Sequence, residues 1–374
     1  MTVSEGRPGG SAPQKGDCRI MSSSTGRGGQ NGLDTRITGV GAEMPSRVVT
    51  SAEVEERARI GRFGFERGWL ERVTGVRERR WADPEVQPSE LAAAAARKAL
   101  AHAEVDPLAV DVVVFCGITK DFIEPATCNA VAEAVGARDA RVFDLTNACN
   151  GFIDGLDLAD SLIRSGKARR VLVTTGERVS DHIAWQARTV EEFMHTVASL
   201  VLGDGGGAAL VEAGDDPDRG LREREFRSDP THWRLAVAGR TRPRTQACEI
   251  CGALMDMPFL CDGRNLFEVG FQMMPPTFAA AMERTGWRYE ELDLVFCHEA
   301  SKRFVESGME ELGPEGNPGP KIWSTVERFG NTSTVSLPLQ MWEAHTAGAL
   351  VPGAKVLMLG GSSGVSMAAV TMVW

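Results

Sequence analysis

The sequence predicts an α/β fold built from two related halves, and three observations predict it. From Arg36 onward, short apolar runs alternate with amphipathic helical stretches, the pattern of strand–helix–strand units. Two of the runs have echoes further along. Val112-Val113-Val114-Phe115-Cys116 resembles Leu294-Val295-Phe296-Cys297, and Arg170-Val171-Leu172-Val173 resembles Lys355-Val356-Leu357-Met358, at nearly equal offsets. Duplication explains this more simply than chance likeness between buried strands. Finally, 374 residues with 43% hydrophobic and 25% charged content suffice for two or three domain-sized units of a globular protein.

Residues 1 to about 34 stand outside this pattern. Runs such as Ser22-Ser23-Ser24-Thr25-Gly26-Arg27-Gly28-Gly29 are Gly/Ser/Arg-rich and lack apolar periodicity, so a disordered leader is expected. It has no apolar stretch of the secretory type, and Met21 is a possible alternative start. Next, Pro88-Ser89-Glu90 opens a capped, alanine-rich helix running to Ala103. Val110–Cys116 and Arg170–Thr175 read as buried strands, and Gly203–Gly207 as a turn into the strand Ala208–Val211. The stretch from about 212 to 275 is less regular. Its apolar side chains, among them Met255, Met257, Phe259, Leu260, Phe267, Phe271, Met273 and Met274, read first as core, with the lining of an acyl tunnel as an overlapping possibility.

Composition narrows the function classes. A formal net charge of −10 without a long Lys/Arg block argues against nucleic acid and against an anionic membrane surface. It mildly disfavours an acidic carrier protein as partner. No apolar run is long enough to span a bilayer. Eight cysteines without framework-like spacing read as reduced thiols in a cytoplasmic protein. The single pair Cys248-Glu249-Ile250-Cys251 has no second pair at zinc spacing, so no metal site is expected.

The chemistry centres on Cys149. The apolar stretch Val142–Leu145 runs into Thr146-Asn147-Ala148-Cys149, and a helix then opens at Asn150-Gly151 with apolar residues at Phe152, Leu156, Ala159, Leu162 and Ile163. A thiol at a helix N-terminus lies in a field that favours thiolate, the form that attacks a carbonyl. Most free cysteines are small buried hydrophobes; the strand–Cys–helix context points to a nucleophile here. Asp144 to Gly151 and the following helix resemble the nucleophile segment of ketoacyl synthase III enzymes of the thiolase superfamily. The resemblance extends from about residue 35 to the C-terminus. It implies the thiolase fold: two βαβαβαββ halves, 35–215 with the nucleophile and 216–374 with a histidine and an asparagine, in a five-layered αβαβα core.

Two further motifs carry the resemblance. His298 directly follows the strand Leu294–Cys297, and the family's His-Gln-Ala-Asn reads His298-Glu299-Ala300-Ser301 here, so a serine replaces an amide that helps order the family's site. Gly330-Asn331-Thr332-Ser333 resembles the segment whose asparagine partners the histidine, the two donating hydrogen bonds to a developing oxyanion. Gly360-Gly361-Ser362-Ser363-Gly364 resembles the family's terminal glycine loop, where the backbone at Gly361, Ser362 and Ser363 would face the acyl-cysteine carbonyl. Thiolases carry a second cysteine in that loop and chain-elongating synthases use two histidines; neither applies here.

Glu124, in Phe122-Ile123-Glu124-Pro125, sits where priming synthases carry an aromatic or apolar residue. A glutamate before proline resembles the head-to-head acyl-CoA condensing enzymes of olefin and β-lactone pathways and the related pyrone-forming synthases. In that group the glutamate reaches across a homodimer and acts as base. A synthase that condenses two unactivated acyl thioesters must remove an α-proton and needs such a base. Arg67–Trp81 resembles the family segment that meets coenzyme A, with Trp69 at the adenine-stacking position and Arg72 one place before the usual arginine. The resemblance therefore implies an acyltransferase joining two acyl-CoA or acyl-carrier substrates without decarboxylation. It implies no cofactor, coenzyme A serving only as substrate carrier, and a homodimer, with a heterodimer as the other arrangement. The alternatives are a decarboxylative priming synthase using malonyl-carrier protein and an acyltransferase to an alcohol or amine.

Overall fold

The computed structural model describes residues 34–214, 216–239, 242–243, 255–256, 258–313 and 320–374. The expected leader and the Cys248/Cys251 pair lie outside them.

Sixteen elements repeat one pattern twice. The first set is β1 (Asp34–Glu43), α1 (Pro88–Ala103), β2 (Val112–Phe115), α2 (Cys128–Val135), β3 (Arg141–Asp144), α3 (Gly151–Arg164), β4 (Arg170–Glu177) and β5 (Gly205–Gly214). The second is β6 (Gly220–Ser228), α4 (Gly263–Thr285), β7 (Leu294–Cys297), α5 (Lys302–Leu312), β8 (Lys321–Ile322), α6 (Ser336–Thr346), β9 (Lys355–Ser362) and β10 (Ser366–Val373). The first sheet has the order β1-β5-β4-β2-β3 and the second β6-β10-β9-β7-β8. In the first sheet β4-β2-β3 pair in parallel and β1-β5-β4 antiparallel, and in the second β9-β7-β8 pair in parallel and β6-β10-β9 antiparallel. The echo in the sequence marks equivalent strands: β2 pairs with β4 from Val112↔Val171, and β7 with β9 from Leu294↔Val356.

Alternation along these strands divides the core into layers. Val112, Val114, Val171 and Val173 face inward with Leu294, Phe296, Val356 and Met358 of the other sheet, and α3 and α6 fill the space between through Phe152, Ile153, Leu156, Leu337 and Met341. Val113, Phe115, Leu172 and Leu210 face outward onto α1 and α2. On the far side Val295, Leu357 and Leu359 pack on α4 and α5 through Met282 and Val305. The result is the five-layered αβαβα arrangement.

Small residues set the spacing of the outer layer. A β-carbon at Gly39 would lie 2.1 Å from the Ala99 carbonyl oxygen, and one at Gly41 2.2 Å from that of Ala95, so α1 rests on β1 at backbone distance. At the start of α1, Gln87 is the N-cap, Pro88 the first helical residue, and Glu90 returns a hydrogen bond to the Gln87 N–H at 2.7 Å. Asp144 ends β3 and accepts the N–H groups of Thr127 (3.1 Å) and Cys128 (2.9 Å) at the start of α2. That fixes the origin of the segment leading to Cys149.

Candidate active site

Cys149 lies between β3 and α3, with Ala148 before it at φ +45° and Asn150 after it as the helix N-cap. Gly151 opens the helix because a β-carbon there would stand 2.5 Å from the Cys116 carbonyl oxygen. From the other half, His298 follows β7, its N–H donating to the Leu359 carbonyl at 2.9 Å. Asn331 is tied into the first half: its N–H donates to the Val201 carbonyl at 2.8 Å and its own carbonyl accepts from Gly203 N at 3.0 Å. Cys149, His298 and Asn331 line a common cavity of about 950 Å³, together with Gly361 and Ser362 at the end of β9 and Ser363 of the turn that follows.

Ser333 joins these side chains. Its hydroxyl donates to Sγ of Cys149 at 3.6 Å, and its N–H donates to Oδ1 of Asn331 at 2.9 Å. With Oδ1 occupied, the Asn331 carboxamide offers its NH2 as a donor. The Ser333 carbonyl accepts from the Ser336 hydroxyl at 3.0 Å, and that hydroxyl lies 3.4 Å from Nδ1 of His298. The Ser333 backbone also favours the protonated imidazole, against the effect of burial. Sequence reasoning quoted Ser333 within the asparagine motif and assigned it no role.

The electrostatics differ from expectation in one respect. Burial pushes the Cys149 thiol up to about 11, assisted by the nearby Glu177 carboxylate and opposed by the Ser333 hydroxyl and the residue's own N–H. Burial and Glu177 thus work against the thiolate that the helix terminus alone would favour. Burial likewise drives His298 down to about 4, against the opposing pull of Glu299, so the imidazole is neutral. The site at rest is a thiol beside a neutral histidine.

The two departures after His298 are structural. Glu299 is 1% exposed and its carboxylate accepts from Ser324, from Thr325 N and Oγ1, from Val326 N and from Gln340 Nε2. Gln340 in turn bonds the Cys297 N–H and carbonyl (2.8 and 2.7 Å), holding the strand end that carries His298. Ser301 is the N-cap of α5, accepting from Phe304 N at 3.2 Å.

Three expected residues fall outside the cavity lining. Glu124 is exposed, in a surface loop where Phe122 and Ile123 are 42% and 104% exposed. Trp69 is half-buried and packs in a tilted aromatic cluster with Phe65 (4.3 Å between ring centroids) and Phe193 (5.9 Å). Arg72 is exposed. The rim of the cavity is formed by exposed Met194, His195, Trp233, Arg264 and Arg303, none of which the sequence singled out. In the middle region Phe259 and Phe267 line the cavity, Leu260 and Phe267 are 43% and 37% exposed, and Phe271, Met273 and Met274 are half-buried, while Met257 and the side chain of Met255 lie outside what the structure describes. No helix among the described residues is long and apolar enough to cross a membrane, and none of their His, Cys, Asp and Glu side chains form a metal-holding group.

Comparison with known proteins adds the family. Residues 143–230 match the profile of 3-oxoacyl-(acyl-carrier-protein) synthase III, and residues 282–374 match its C-terminal counterpart. The Streptomyces coelicolor protein beta-ketoacyl-(acyl-carrier-protein) synthase III 3 is 31% identical over 339 residues, 90% of this chain and 96% of its own. The corresponding Bradyrhizobium sp. enzyme is 33% identical over 345 residues, 90% and 98%. Among solved structures, 3-oxoacyl-(acyl-carrier-protein) synthase III of Aquifex aeolicus superposes with a TM-score of 0.77 at 29% identity, covering 91% of this chain and all of its own. Xanthomonas campestris OleA superposes with a TM-score of 0.81 at 27% identity, covering 91% and 98%. The solved OleA chains include variants with a cysteine, a histidine or a glutamate replaced.

Proposed function

The chain belongs to the ketoacyl synthase III family of thiolase-fold condensing enzymes, and from that premise we propose that it joins two acyl thioesters by a Claisen condensation without decarboxylation. The observation that carries this reading is the shared cavity of Cys149, His298, Asn331 and the Gly361–Ser363 backbone.

In the first half-reaction Sγ of Cys149 attacks the carbonyl of an acyl thioester. The acyl group moves to Cys149, and the proton leaves with the departing coenzyme or carrier thiol. Backbone N–H groups of the terminal loop stabilise the tetrahedral oxyanion. The second acyl thioester enters with its carbonyl oxygen towards His298 and the Asn331 NH2. Glu124 of the partner subunit takes its α-proton. The resulting carbanion attacks the acyl-cysteine carbonyl, a carbon–carbon bond forms as the carbon–sulfur bond breaks, and the proton taken by Glu124 returns through solvent to the Cys149 sulfur as the β-ketoacyl product is released. Arg264 and Arg303 at the rim suit the phosphates of coenzyme A or a carrier's prosthetic arm.

Glu124 supports the non-decarboxylative version. A carboxylate held beside exposed Phe122 and Ile123 is dispensable to an enzyme that gains its carbanion from loss of carbon dioxide, and it is what a proton-abstracting one needs. The names of the curated relatives favour the decarboxylative alternative. Mass spectrometry with a panel of acyl-CoAs separates the two. The proposal expects an acylated Cys149 peptide and a β-keto product without carbon dioxide. Product formed only with malonyl-carrier protein, with carbon dioxide released, would overturn it.

A further inference from the structure

We propose that Ser333 is a positioning residue for the whole site and that its hydroxyl is the hydrogen-bond donor that supports the Cys149 sulfur when it loses its proton. The proposal rests on the reading of Cys149, His298 and Asn331 as the reacting set.

Geometry carries it. Ser333 is 3% exposed and sits between the three side chains, reaching Cys149 with its hydroxyl, Asn331 with its N–H and, through its carbonyl and the Ser336 hydroxyl, the His298 side. Among the described residues it supplies the side-chain donor to Sγ. Its backbone has φ +54°, a left-handed conformation that non-glycine residues seldom adopt. The surroundings over-determine it. Asn331 holds one side, Ser336 holds the carbonyl, and the next residue, Thr334, donates to the buried Glu177 at 2.5 Å. Glu177 also accepts Ile118 N and Thr119 N, both at 3.0 Å, so the turn after β2, which puts Ile118 into the cavity wall, is tied to the same point. A residue held in a costly conformation by this many contacts marks a place where position matters to chemistry.

The hydroxyl matters because, among the described residues, no cation favours the thiolate: burial holds His298 neutral and Glu177 opposes the charge. A hydroxyl aimed at the sulfur strengthens as charge develops.

The test is the rate at which iodoacetamide alkylates Cys149 in the folded protein at pH 8, followed on the Cys149 peptide by mass spectrometry, in Ser333→Ala and Ser333→Gly. Both remove the hydroxyl. Glycine accepts φ +54° without strain, so it keeps the loop intact if alanine does not. Loss of a hydrogen bond to a charged group predicts alkylation slowed about tenfold in both variants, with equal rates once the proteins are denatured. An unchanged rate in either folded variant overturns the proposal. Alkylation needs no acyl substrate, so this result is independent of the condensation reading, which fails instead if Cys149→Ala still condenses acyl thioesters.

Discussion

At the scale of single residues, the environment of each side chain assigns its task. Cys149 is raised by burial and His298 lowered by it, so their protonation states are opposite to those of an ion-paired cysteine–histidine dyad. Cys149→Ala is expected to abolish acyl transfer, seen as loss of the acylated peptide. Glu124→Gln is expected to leave that peptide intact and to stop condensation, measured as product per acylated enzyme. His298 also leaves a signature in stability. Its folded value of about 4 lies below its ordinary 6.5, so the unfolded chain binds the extra proton between these values. The contribution is complete above 6.5 and is lost as pH falls towards 4, reaching about 3 kcal/mol. Melting curves of wild type and His298→Asn should therefore diverge, the wild type losing stability faster between pH 6.5 and 4. Parallel curves would contradict the buried neutral imidazole.

At the scale of elements, the backbone of β9 lies close against side chains at the start of α3 and holds the two halves of the site against each other. A β-carbon at Gly360 would meet Oδ1 of Asn150 at 2.3 Å, and Asn150 follows Cys149 directly. Gly360→Ala should displace the terminal loop or the N-cap of α3. Expected is a fall in kcat of about tenfold or more with a melting temperature reduced by the overpacking. A kcat equal to wild type would show that this contact does not set the geometry. The elements were also the most legible part of the sequence. The α1 helix starts at Pro88 and ends at Ala103 as its cap and alanine pattern indicate, and β2, β4, β7 and β9 lie on the apolar runs that echoed each other. What could not be read is what long-range packing decides. Trp69 is claimed by Phe193, more than a hundred positions away. The region before α4 carries apolar residues that serve a cavity wall, and periodicity cannot tell that wall from a core. Ser333 became visible as a link only when three distant loops met.

At the scale of the whole molecule, duplication produces the site. Two sheets of identical order, back to back on α3 and α6, bring the strand ends of both halves to one cavity, so Cys149 comes from one half and His298 and Asn331 from the other. The sequence disclosed the duplication through its repeated strands, while Glu124, the proposed base, lies outside the cavity lining of its own chain. In the proposed mechanism a second copy of the chain supplies it. The most direct measurement mixes the Cys149→Ala and Glu124→Gln proteins under conditions of subunit exchange and assays condensation. Each alone is expected to be inactive. In a mixed dimer one site combines an intact Cys149 with an intact Glu124 of the partner subunit, so random exchange should restore about a quarter of wild-type activity. A mixture as inactive as its components would contradict condensation driven by a base from the neighbouring subunit.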